Sequence, residues 1–292
     1  MALQRIGLIL LAAVFFTPAT ADAWGFEAHK FIMERAIPLL PPQIRPFFEA
    51  ARTAVIERSV DPDTWRTAGW EDEPPRHFVD MDAYGAYPFT ALPRDFDAAV
   101  AAHGREFVEK NGTLPWRVED HYRKLVEAFA QKTPYARENI RVFSSWVAHY
   151  VSDAHVPFHS ALNYDGQLSG QWGIHSRFES ELFERYRTQL RITRRPVTII
   201  PAPRDYMFET LLASFSHVQT ILDADKAAVA GREVYDDEYF RMMFVRVRPI
   251  LETRLSDSIT AVASIITSAW TEAGRPALPL QVPREARKVR RQ

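Results

Sequence analysis

The 292-residue chain contains no cysteine. Disulfides are thereby excluded, and so is any thiolate metal ligand, which leaves histidine and carboxylate as the strong donors for a divalent ion. Long apolar runs are also missing. The run from Ile6 to Phe16 spans only eleven residues and is followed by Pro18, well short of the roughly 20 that a membrane-crossing helix needs. Net charge is nearly absent too: Lys and Arg number 36 against 37 Asp and Glu, for a formal −1. Residues Pro283 to Gln292 carry five of those bases and one acid, so the rest of the chain is mildly acidic at −5. An acidic body argues against broad electrostatic binding of nucleic acid. Neither an internal repeat nor a low-complexity linker divides the sequence, so one domain is expected.

What is present begins with Arg5, the short apolar run and Ala21-Asp22-Ala23, the three parts of a secretory signal. Residues 1–23 are expected to be a signal peptide removed after Ala23, which makes the protein secreted or periplasmic. The mature domain then covers 24–282, and a basic, disordered tail covers 283–292. An exported chain without cysteine suits a bacterial source better than a eukaryotic one. Bound metal is the obvious additional source of stability, because its binding energy becomes folding energy.

Apolar residues recur at helical spacing over Ile32 to Leu40 and Ile44 to Ile56, separated by Pro41 and Pro42. The same spacing recurs over roughly Phe96 to Lys110, Val118 to Ala130, Tyr135 to Ala154, Gly173 to Leu190, Tyr206 to Ala230 and Tyr235 to Ala273. Only Leu190 to Ile200 reads as extended. The expected fold is all-α, a single multi-helix domain.

The chemistry concentrates between His149 and Glu179. Residues four apart share a helix face, so His149 with Asp153 and His175 with Glu179 each aim two donors at one point, and His159 lies between the pairs. A lone His–acid pair is ordinarily a surface contact. Two pairs flanking a third histidine inside an apolar framework (Trp146, Val147, Val151, Phe158, Phe178, Leu182) point instead to a metal cluster, dense enough for more than one ion. Upstream, Asp61-Pro62-Asp63 offers a carboxylate from a loop or, equally, a helix N-cap. His77 follows two prolines in a short extended run, and Asp80 and Asp82 suit a supporting or turn role. At the expected new terminus, the Trp24 amine and carbonyl oxygen with His29 nearby can chelate a further ion. His103, His121 and His217 lack a partner pair and read as ordinary helix histidines, and His155 as structural. Asn111-Gly112-Thr113 is formally a glycosylation sequon and equally an Asn-Gly turn.

The ordered set comprises Trp24 at a processed terminus, His29, an Asp ahead of Arg66, His77 in an H-[FY]-x-D run, H-Y-x-x-D-x(5)-H from His149 to His159, and H-x-x-x-E from His175. From Trp24 to about Glu184 it resembles the zinc-dependent phospholipase C and S1/P1 nuclease superfamily. The resemblance implies a trinuclear zinc site in a cleft between helices and loops. One ion would be held by Asp63, His77, His149 and Asp153. The second would be held by Trp24 and His29 with Asp153 shared as a bridge, and the third by His159, His175 and Glu179. It further implies phosphodiester hydrolysis, with Asp63 orienting the attacking water and Arg66 contacting phosphate.

Two features pull apart on substrate. Asp63-Thr-Trp-Arg66 is similar to the nuclease branch, whereas Glu179 is similar to the phospholipase branch. A phospholipase C-like hydrolase is the leading expectation and a nuclease for single-stranded nucleic acid the second. A non-catalytic zinc-binding protein is the third, although a scavenger is expected to carry histidine-rich tracts that this chain lacks. The expected partners are a phosphodiester substrate and transient contact with a membrane surface, with no stable protein partner. Phe78, Tyr84, Tyr164 and Trp172 are expected on loops at the rim, either meeting substrate or packing the metal shell.

Overall fold

Residues 25–278 are described by the computed structural model. The signal segment 1–23, the Trp24 chelate and the basic tail 283–292 lie outside the described residues. Among the described residues all regular structure is helical and forms one domain. The α-helices are α1 (Phe26–Ala36), α2 (Arg45–Ala50), α3 (Arg52–Glu57), α4 (Asp61–Thr67), α5 (Phe96–His103), α6 (Arg105–Lys110), α7 (Leu114–Ala130), α8 (Ala136–Asp153), α9 (Ile174–Ser176), α10 (Leu182–Tyr186), α11 (Pro203–Phe215), α12 (Val218–Val229) and α13 (Asp237–Glu272). No described helix is long and apolar enough to cross a membrane.

The long helix α13 packs against α1, α7, α8 and α12, and α7 lies against α8. Pro249 interrupts the α13 ladder without breaking the helix, since it sits on an exposed stretch where the freed carbonyl meets water. Fully buried aromatics (Phe47, Phe48, Tyr150, Phe158, Phe178, Phe183 and Tyr239) fill the core. Truncating such a phenylalanine to alanine typically costs about 3–5 kcal/mol. Two expected helices are each divided: Gly104 separates α5 from α6, and Ser216 and His217 separate α11 from α12.

Asp61-Pro62-Asp63 opens a helix instead of forming a loop. Val60 occupies the N-cap position and Pro62 the first turn, where proline's missing N–H would have been unpaired anyway. Both aspartates fall in that first turn, on the favourable end of the helix dipole. Neither caps it, which corrects both sequence alternatives for the segment.

Leu190 to Ile200 is non-helical, as its composition suggests, yet it pairs with no strand. Its backbone N–H groups are satisfied by side chains on α13: Arg191 by Glu252, Thr193 by Ser256, Thr198 by Ser264 and Ile200 by Ser268. These acceptors recur at multiples of four residues and so line one face of the helix. Ser268→Ala removes the acceptor of the buried Ile200 N–H, 2.8 Å away. Chemical denaturation is expected to show a loss of about 1–2 kcal/mol. A loss of only a few tenths would mean that water replaces the hydroxyl and that the strap is not held this way.

Candidate metal centre

Five buried histidine and aspartate residues meet where α1, α4 and α8 converge. α1 supplies His29 and α4 supplies Asp63. A 3₁₀ turn over Pro74–Arg76 ends at His77, and the last turn of α8 presents His149 and Asp153 together. His77 therefore closes a tight turn, not the extended run expected from the prolines. Asp153 stands at the middle: one carboxylate oxygen is 3.3 Å from His29 Nε2, and the other is 3.0 Å from His77 Nδ1 and 3.3 Å from His149 Nε2. Asp63 faces the same three rings, at 4.0 Å from His29, 3.7 Å from His77 and 3.8 Å from His149. His149 donates its Nδ1–H to the Ser59 carbonyl at 2.8 Å. That fixes the tautomer and turns the Nε2 lone pair toward the carboxylates.

The remaining group adjoins the first. His159 donates Nδ1–H to the His77 carbonyl at 2.6 Å, leaving Nε2 facing Glu179 at 3.9 Å, and His175 Nε2 lies 3.1 Å from the same carboxylate. Asp153 reaches this group too, 4.0 Å from the His159 ring. The helix carrying His175 and Glu179 widens into a π turn over Arg177–Glu181, a rare form that recurs at functional sites. Gly25, the first described residue, is pressed against it. A Cβ there would sit 2.5 Å from Ser180 Oγ, so any larger residue would force that side chain to move.

Three sets of donor atoms are close enough to share an ion: His29, Asp63 and His149; His77, His149 and Asp153; and His159, His175 and Glu179. The donor set fits divalent metal on two further grounds. Ligand atoms of His29, Asp63 and His175 are buried without a hydrogen bond among the described residues, a costly state that a cation relieves. Burial also keeps the second group's imidazoles neutral and able to coordinate, lowering His159 to about 3 and His175 to about 4. Burial pushes His77 down as well, but the Asp153 and Glu73 carboxylates outweigh it and raise His77 to about 9. Burial alone would raise the Asp153 carboxyl; the His149, His29 and His77 rings hold it well below the usual range. Imidazole with carboxylate suits zinc or a similar ion.

Asp61, the rival early carboxylate, points away and accepts from Trp146 Nε1 at 2.9 Å. Arg66 places Nη2 3.6 Å from Asp63, and its charge helps to lower His175. Asp80 and Asp82 do not support His77. Asp82 accepts the Leu162 N–H at 2.8 Å, while the Asp80 carboxyl is raised to about 7 by burial and by Asp82. The carboxylate behind His77 is Glu73, which sequence reasoning missed. Its oxygens lie 3.6 Å from His77 Nε2, accept from Tyr150 Oη, and bond to Arg76 at 2.8 Å. Burial works against its ionisation, yet His77, Tyr150, Arg117 and Arg76 hold it at about 2. The signal was available: Glu73 and His77 are four apart, the spacing that marks the other two pairs. Two intervening prolines concealed it.

Around this centre, Tyr164 is exposed with its ring 6.4 Å from His175, and Trp172 is exposed on the same loop. Tyr84 is not a rim residue; it is buried against His103 and Phe107. His121 and His155 are buried structural histidines, the latter donating to the Val151 carbonyl. Asn111 is buried at the C-terminal end of α6 and donates to Phe107 O at 2.8 Å. A cavity of about 880 Å³ lined by Glu71, Arg76, Trp116 and Arg117 contains none of the ligand residues. No family model matches the chain, and no curated protein matches it.

Proposed function

We propose that the protein is an exported, zinc-dependent phosphodiesterase, phospholipase C-like in its leading form and related to the zinc-dependent phospholipase C and S1/P1 nuclease superfamily that its motifs resemble. The observation that carries this reading is the convergence of eight buried histidine and carboxylate residues from distant parts of the sequence into adjoining donor groups. Arg66 stands beside Asp63, 3.6 Å away. Such an array is what hydrolysis of an anionic, charge-accumulating phosphodiester needs. Three divalent ions bound there would supply a nucleophilic water at neutral pH and neutralise the phosphoryl and leaving oxygens.

The chain's own residues then divide the remaining work. Asp63, Asp153, His77 and His149 would hold one ion, His29 with Asp153 a second, and His159, His175 and Glu179 the third. Asp63 orients the attacking water through its carboxylate oxygens. The Arg66 fork offers two parallel N–H donors to phosphate oxygens. The nuclease reading keeps one specific support, that same arginine one helical turn from Asp63, with Tyr164 available for stacking on a base.

The test is hydrolysis by the chain beginning at Trp24, with phosphatidylcholine vesicles and single-stranded DNA assayed in parallel, each with and without chelator. Chelator-sensitive release of phosphocholine is expected. Turnover of DNA alone would move the assignment to the nuclease, and turnover of neither would overturn both enzyme readings in favour of non-catalytic metal binding.

A further inference from the structure

Between the two ligands His175 and Glu179 lies Arg177, only 4% exposed. A buried guanidinium must find partners for all of its N–H groups or pay a heavy desolvation cost. Here four hydrogen bonds reach acceptors on three elements. Nε donates to Tyr239 Oη on α13 at 2.9 Å, Nη1 to the Trp172 carbonyl at 2.7 Å, and Nη2 to the Gln171 carbonyl at 3.2 Å and to Asp225 on α12 at 3.1 Å. The Tyr235 ring covers its face at 3.9 Å. Asp225 is itself buried and completes the ring, accepting from Tyr239 Oη and from Gln171 Nε2 at 2.6 Å. The chain bends tightly around this charge. Gly173 adopts φ of 80°, and a Cβ there would sit 2.9 Å from Arg177 Nη1.

We propose that Arg177, clamped by Asp225 and Tyr239, is a positioning residue for the His159/His175/Glu179 metal group, fixing the π turn that aims Glu179 at His175. Arg177 is the first residue of that turn, and π turns persist where surrounding contacts hold them. A buried ion pair adds little stability over apolar residues of the same volume. What it adds here is geometry, because the planar fork ties the loop ending at Gly173, the π turn, α12 and α13 to one point. The same fork holds the Trp172 carbonyl, so the exposed aromatic loop beside His175 and the ligand pair are set by one residue. The proposal rests on the reading that this donor group holds a metal ion.

The test compares the wild-type chain with Tyr239→Phe, Arg177→Lys, the double variant Arg177→Met with Asp225→Asn, and His175→Ala as reference. The double variant removes both charges together, so no lone buried charge is left to unfold the protein, and thermal unfolding checks that it folds. Zinc content after dialysis and calorimetric titration with Zn²⁺ report on the sites without any substrate. The folded double variant should bind one zinc, the equivalent that His175→Ala removes, about 10–100-fold less tightly, with the other equivalents unchanged. Tyr239→Phe should fall between it and wild type. Arg177→Lys should not restore wild-type affinity, because an ammonium cannot reproduce the fork. Wild-type affinity for every equivalent in the folded double variant would overturn the proposal while leaving the metal reading intact. If His175→Ala leaves the zinc content of the protein unchanged, the metal reading of this group fails and the positioning role goes with it.

Discussion

Asp153→Asn is expected to strip zinc from two donor groups at once. The carboxylate sits between His29 on one oxygen and His77 and His149 on the other, all within 3.3 Å. Asparagine keeps the shape but offers one neutral oxygen and an amide that donates where a lone pair is needed. Removing a residue that merely supports a metal ligand costs about 10–100-fold in affinity or activity, and loss of a shared ligand should exceed that. Metal analysis of the purified variant should therefore show two equivalents fewer than wild type, with phosphodiester turnover falling by more than about 100-fold. Asp61→Asn is the matched control. That side chain accepts from Trp146, which an amide oxygen still can, and pairs with Arg58 3.6 Å away at the surface, touching none of the clustered histidines, so zinc content should be unchanged. A full metal complement in Asp153→Asn would remove the shared-ligand role.

The division between what could be read in the sequence and what could not follows from the range of the interactions. His149/Asp153 and His175/Glu179 were legible because a helix turns sequence spacing into proximity, and the structure brings both pairs together as that spacing requires. The gathering of His29, Asp63 and His77 around them depends on packing of α1 and α4 against α8, which no local pattern encodes; only the motif resemblance anticipated it. The Arg177–Asp225–Tyr239 clamp was missed for the same reason, since its partners lie up to 62 residues apart, whereas Glu73 was hidden locally, by the two prolines between it and His77. Leu190 to Ile200 shows the opposite failure. Its extended character was legible, but the usual inference from an extended run is a partner strand, and here hydroxyls on one face of α13 do that work. Pro62 misled because proline breaks a helix interior yet suits a first turn.

The chelated protein should be acid-labile well above the range in which carboxylates titrate. Burial keeps His159 and His175 neutral, at about 3 and about 4, and pushes His155 in the same direction. In the unfolded chain each returns to about 6.5. Below pH 6.5 the unfolded state therefore binds protons that the folded state refuses, and stability falls by about 1.4 kcal/mol per pH unit for each histidine until its folded value is reached. His175 alone accounts for about 3 kcal/mol by pH 4, and the histidines together approach the whole stability margin of an ordinary domain. His77 works the other way. Raised to about 9, it contributes stability that is fully present below 6.5 and lost as pH rises through 9, so it adds a constant below 6.5 and leaves the acid slope unchanged. Asp153, held low, gives up its contribution only below the unfolded carboxylate range. The melting temperature of the chelated protein should thus drop steeply between pH 6.5 and 4. Zinc-loaded protein should melt higher at pH 7, and its advantage should shrink over the same interval, because protons compete with metal for the same imidazoles. A flat melting temperature for the chelated protein across that window would show that the buried histidines accept protons in place, and their neutrality would then be no argument for metal.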